Sequence, residues 1–102
     1  MNDDPKSDLS SVEDRVAQIW SRELRGTVPA KDDDFWMLGG ESFNVVNMTY
    51  AIEKEFGVDL PADAIFNHST LSAFSQLLFA LIEQAAEDSG RTNPGTERTG
   101  TI

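Results

Sequence analysis

The chain has no cysteine among its 102 residues, so no disulfide framework, thiolate metal site or cysteine nucleophile is available. No apolar run approaches the length of a membrane span. The opening residues, Met1-Asn2-Asp3-Asp4-Pro5-Lys6, are polar and acidic and lack the apolar core of a secretory signal, which points to a soluble cytoplasmic protein. Basic residues are scarce: 8 Lys and Arg stand against 18 Asp and Glu, for a net charge of −10. Such a surface repels nucleic acid and anionic membranes, which leaves basic protein partners or plain solubility as its use. Histidine is nearly absent, with His68 alone, and a single loop histidine is more often structural or solvated than catalytic. The length is that of one small domain, in which a deep enclosed active site is hard to build.

What is present is helical periodicity. Residues 1–8 carry Pro5 and alternating charge and read as a disordered lead. Ser10-Ser11-Val12-Glu13 fits a capping box with Ser10 as cap, after which Val12, Val16, Ile19, Trp20 and Leu24 share one helix face as far as Arg25-Gly26. Trp20 is read as a core anchor. Residues 26–41 form a long loop, and Val28, Phe35, Trp36 and Leu38 are its expected apolar anchors. Asp32-Asp33-Asp34 does not fit a calcium loop, because Trp36 and Met37 stand where an oxygen ligand and a glycine are needed; one of these aspartates is expected to hold loop amides.

A second helix spans Ser42 to Phe56 and closes at Gly57, with two apolar stripes. Val45, Met48, Thr49, Ile52 and Phe56 form one; Phe43, Val46 and Tyr50 form the other, either buried by a further helix or exposed as a partner site. Pro61 stops the helix, a short helical turn over 62–66 sends Ile65 and Phe66 to the core, and Thr70 caps a last helix along Leu71, Phe74, Leu77, Leu78, Leu81, Ile82 and Ala85. The expected domain is 9–86, with a disordered tail over 87–102.

One stretch carries chemistry: Asp34-Phe35-Trp36-Met37-Leu38-Gly39-Gly40-Glu41-Ser42-Phe43. The glycine pair lets the chain reverse, and Ser42 then opens an apolar-periodic run, at a helix N-terminus. Taken alone, Ser42 is read as a helix N-cap. An esterase elbow is absent, since Asn44 fills the last glycine position of Gly40-Glu41-Ser42-Phe43-Asn44, and a nucleotide loop lacks its lysine.

The same stretch resembles the signature of carrier proteins, in which an aromatic pair and Leu-Gly-Gly-Xaa-Ser precede a modified serine, and its Gly39-Gly40 form is closer to peptidyl than to acyl carriers. The likeness extends from about Val12 to Leu78. It departs at Trp36, Glu41, Phe43 and Ser69, where phenylalanine, aspartate or histidine, leucine and proline are usual. The resemblance implies an all-α, four-helix bundle of the acyl carrier protein-like type, with three long helices, one short helix and a long first loop. It also implies a free-standing, non-catalytic monomer whose Ser42 bears 4′-phosphopantetheine, supported by Gly39, Gly40 and Glu41. Its thiol would carry an aminoacyl, peptidyl or acyl group as a thioester. Implied partners are a phosphopantetheinyl transferase and adenylating, condensation, tailoring or thioesterase enzymes, met through Phe43, Val46 and Tyr50. Alternatives are an acyl carrier for polyketide or fatty acid assembly and an unmodified acidic adaptor.

Overall fold

The computed structural model describes residues 8–91 as four helices: α1 (Leu9–Glu23), α2 (Ser42–Phe56), α3 (Ala64–Asn67) and α4 (Leu71–Arg91). This is the expected all-α, four-helix arrangement. The lead through Ser7 and the tail from Thr92 lie outside the described residues. Two boundaries move. Asp8, assigned to the lead, is the N-cap of α1 in place of Ser10, and its carboxylate accepts the Ser11 N–H at 2.9 Å. Aspartate caps as well as serine does, so Ser10 falls inside the first turn. At the other end α4 continues through Arg91, because Gln84, Ala85, Ala86 and Glu87 are all good helix formers.

Helix α1 buries Val12, Val16, Ile19 and Trp20 along one face and stops where Arg25 and Gly26 turn left-handed, at φ 60° and 87°. The Gly26 N–H returns to the Ser21 carbonyl at 2.8 Å, pairing one of the carbonyls a helix end leaves open. Helix α2 lies antiparallel to α1. Arg15 grips Glu55 with two bonds of 2.7 and 2.9 Å at one end of the pair, and Glu23 meets Asn44 at the other. Gly57 closes α2 at φ 68°. Helix α4 packs on α1 and contributes Leu71, Phe74 and Leu78 to the core.

The middle of the core is aromatic, and one ring comes from the loop. Trp20 meets Phe35 edge-on with ring centroids 5.1 Å apart and Phe74 at 5.8 Å, and all three side chains are fully buried. The backbone around Phe35 is stitched to the start of α4. Phe35 N–H donates to the Ser69 carbonyl at 2.8 Å, while Leu71 N–H reaches the Asp33 carbonyl at 3.0 Å and Ser72 N–H reaches that of Lys31 at 2.9 Å. The loop thereby supplies acceptors for first-turn amides that α4 cannot pair itself, and Thr70 caps as expected, its Oγ1 accepting from Ala73 N–H at 3.1 Å.

Two expected anchors are not anchors. Val28 is 76% exposed, its place in the interior being taken by Pro29. Phe66 is 62% exposed, because α3 is a single turn starting at Ala64 whose inward positions belong to Ala64 and Ile65. The Phe66 ring instead stacks on Trp36 at 5.1 Å from outside the core. Phe35→Ala is expected to cost about 3–5 kcal/mol in urea unfolding, whereas Val28→Ala should stay within about 0.5 kcal/mol of the parent.

Candidate functional site at the mouth of α2

Residues 34–40 coil into a tight turn that aims the chain at α2. The Asp34 carboxylate accepts from the Ser69 hydroxyl at 2.6 Å and from the amides of Trp36 and Met37 at 2.9 and 3.2 Å. These bonds, the Ser69 hydroxyl first, hold its pKa below the ordinary 3.8 against a smaller opposing effect of burial. Asp33 does a similar service one turn earlier, accepting from Ala30 N–H at 2.8 Å, so two of the three clustered aspartates hold loop amides. Backbone bonds from Leu38 to Asp34, Gly39 to Trp36 and Gly40 to Phe35, at 3.0 to 3.1 Å, close the turn.

The two glycines are needed for different reasons. Gly39 sits at φ 100°, a backbone conformation that side chains disfavour, with open space around it. Gly40 has no such dihedral; there the constraint is volume. A Cβ on Gly40 would fall onto Cδ2 and Cε2 of the Phe35 ring and 2.8 Å from the Phe35 carbonyl oxygen.

Glu41 is extended, at φ −130° and ψ 169°, and is the N-cap of α2. Ser42 is therefore the first helical residue, N1, and not the cap that its sequence position suggests. The reason is Asn44. Its Oδ1 accepts the Glu41 N–H at 2.9 Å, which holds Glu41 at the cap, and its Nδ2 donates at 3.2 Å to both the backbone carbonyl and the carboxylate of Glu23. Asn47 donates to the same Glu23 carboxylate oxygen at 3.4 Å. Asn44 is 7% exposed, so a buried amide joins the end of α1 to the start of α2. Sequence reasoning used Asn44 only to reject an esterase elbow. The available signal was its place three residues after the cap, where a side chain can reach back to the cap amide.

Ser42 itself is exposed, and among the described residues its hydroxyl has no hydrogen-bond partner. The amides of Ser42 and Phe43 likewise have no acceptor there, so the positive end of α2 faces outward. Down the helix from Ser42, Phe43, Val46 and Tyr50 are 61, 66 and 64% exposed, which excludes a bundle that buries both stripes of α2. The strip ends at Lys54, whose Nζ lies 3.5 Å from the Tyr50 hydroxyl and 5.6 Å from the ring centroid. Gly39, Gly40, Glu41, Ser42 and this strip thus form one continuous feature.

A protein-family model described as a phosphopantetheine attachment site matches residues 14–78, more than half the chain. The chain belongs to this family. The carrier domain is 36% identical over 69 residues to surfactin synthase subunit 3 of Bacillus subtilis, an alignment covering 68% of this chain and 5% of that protein. It is 38% identical over 81 residues to a phosphinothricin tripeptide synthetase of Streptomyces viridochromogenes, covering 79% and 7%. The chain therefore spans only a small fraction of the length of these relatives. Among solved structures, it resembles a peptidyl carrier protein in complex with the phosphopantetheine transferase Sfp and coenzyme A. That likeness has a TM-score of 0.64 and 28% identity, over 68% of this chain and 90% of the other. The fold is also that of a type-II acyl carrier protein from Streptomyces verticillus, with a TM-score of 0.67 and 22% identity over 71% and 87% of the two chains.

Three stability measurements follow from this geometry. Asn44→Ala leaves the Glu41 amide without its side-chain acceptor and should cost about 1–3 kcal/mol, while Ser42→Ala, removing an unbonded hydroxyl, should cost less than about 0.5 kcal/mol. Because the Asp34 pKa is depressed on folding, its carboxylate adds stability above the ordinary 3.8, and that increment is lost as pH falls through the lower folded-state value. The stability difference between the parent and Asp34→Asn, read by urea unfolding across pH, should accordingly be largest near neutrality and shrink in acid.

Proposed function

We propose that Ser42 is the residue to which a 4′-phosphopantetheine arm is joined, and that the domain carries an aminoacyl or peptidyl group between enzymes of nonribosomal peptide assembly. The observation that carries this reading is the exposed, unbonded Ser42 hydroxyl at N1 of α2, directly behind the Gly39-Gly40 turn. The residues present fit the group. Ser42 Oγ is open to a phosphodiester linkage, and the unpaired amides of Ser42 and Phe43 at a helix N-terminus suit the anionic charge that linkage brings. When attached, the arm supplies a thiol that holds the acyl group as a thioester.

The chain's own residues present and orient; they do not catalyse. Asp34, Gly39 and Gly40 set the turn, Asn44 fixes the first turn of α2 against α1, and the strip Phe43, Val46 and Tyr50 offers apolar area to the enzymes that visit Ser42. A phosphopantetheinyl transferase would be the first of these, followed by an adenylating enzyme and by condensation, tailoring or thioesterase partners. Tethering keeps each intermediate at high effective concentration near the next site. The peptide synthetases among the relatives favour peptidyl over polyketide or fatty acyl use.

Incubation with coenzyme A, magnesium and a promiscuous phosphopantetheinyl transferase is expected to raise the intact mass of the parent chain by one arm and to leave Ser42→Ala unchanged. No gain in the parent, or a gain retained in the variant, would defeat the proposal. Val46→Asp should lower kcat/KM of the transferase by about tenfold, or about 1.4 kcal/mol, with the unfolding midpoint unmoved; an unaltered rate would remove the strip from the partner surface.

A further inference from the structure

A cleft of about 570 Å³ opens beside the serine, between the last turn of α1, the Gly39 turn and the first turn of α2. Its volume falls inside the range of roughly 300–1,000 Å³ occupied by small-ligand sites. Residues flanking Ser42 on both sides, Leu38 and Glu41 before it and Phe43 after it, line one wall, and Arg22 and Arg25 stand on the α1 side. The two arginines are exposed, and neither guanidinium has a hydrogen-bond or ion-pair partner among the described residues. Paired cations would be easy to find in a chain with a net charge of −10, so two uncompensated ones on a single wall mark a place for an anion.

Arg25 carries a second mark. It adopts φ 60°, the left-handed conformation, and is the only non-glycine residue among those described to do so. A side chain in this conformation is strained relative to glycine, and such strain gathers where a side chain has work to do. Glycine is commonly used at the end of a helix like α1, yet here the chain keeps an arginine facing the cleft. The remaining wall is mixed: Leu38 and Phe43 are apolar, and the Glu41 carboxylate is an acceptor for N–H groups.

We infer that this cleft is a resting site for the pantetheine arm itself, with Arg25 and Arg22 holding the phosphodiester charge and Leu38 and Phe43 receiving the arm's dimethyl segment. The inference rests on attachment at Ser42. The chemistry matches along the arm's length: an anion beside guanidinium groups, an aliphatic branch beside apolar side chains, and amide N–H donors beside a carboxylate. An arm lodged there is held against its own carrier between visits to partner enzymes, and each partner must draw it out.

The test uses the whole chain loaded from coenzyme A that is ¹³C-labelled in the pantetheine methyl groups, with loading verified by intact mass. Isotope-filtered NMR is expected to show contacts from the dimethyl protons to Leu38 and Phe43. The contacts should be lost in Arg25→Gly and reduced in Arg22→Gln. Arg25→Gly should fold at least as stably as the parent, since glycine suits φ 60°, so a loss of contacts there is not a loss of fold. A loaded chain whose dimethyl protons contact neither residue, or contact only Val46 and Tyr50, overturns the inference while leaving attachment intact. Contacts that persist in both arginine variants also overturn it. Absence of any mass gain fails the attachment reading, and the resting site with it.

Discussion

The ring of Phe35 occupies the volume in which a side chain at position 40 would have to sit. That exclusion organises much of the rest. Phe35 is the contribution of the long first loop to the core, packed edge-on against Trp20, and its backbone is bonded to the junction ahead of α4. Because the ring lies directly under Gly40, the chain passes over it and enters α2 from one direction only. A loop of this length would ordinarily be free to wander; here its far end is located by one aromatic side chain and one missing methyl group.

The second fixed point is polar. Helices α1 and α2 are antiparallel, so the open carbonyls at the end of α1 stand beside the open amides at the start of α2, and Asn44 connects the two. A buried amide is tolerable only when its hydrogen-bonding groups are matched, and Asn44 places both its oxygen and its nitrogen. The outcome is a helix mouth held rigidly from beneath while Ser42, on the outward side of the same turn, is left without bonds of its own. Rigid support under a solvated hydroxyl is what a handle for other enzymes requires, and it needs no enclosed cavity in a domain of this size.

Much of this was legible in the chain. The apolar spacings of α1, α2 and α4, the glycine stop at Gly57, the Thr70 cap and the aromatic-glycine-serine string are local patterns, and each is found where the pattern puts it. The misreadings share a cause. Val28 and Phe66 are apolar residues that periodicity counts as interior, but which apolar residues of a loop or a one-turn helix face inward is decided by neighbours distant in sequence. Ser10 and Ser42 are good caps by type, displaced by Asp8 and Glu41 because capping is a competition among adjacent residues settled by backbone geometry.

By itself, then, the order of residues determined the number and span of the helices, the helix on which the serine stands and the family to which the chain belongs, because those properties reside in short-range spacing and in motif. Only the folded arrangement decided that Gly40 is required by the Phe35 ring rather than by its dihedrals, that Asn44 bridges two helices, and that Phe43, Val46 and Tyr50 remain uncovered. The same arrangement brought Arg22 and Arg25 to the side of the serine. These are relations between residues far apart along the chain, and they come into being only when the helices pack.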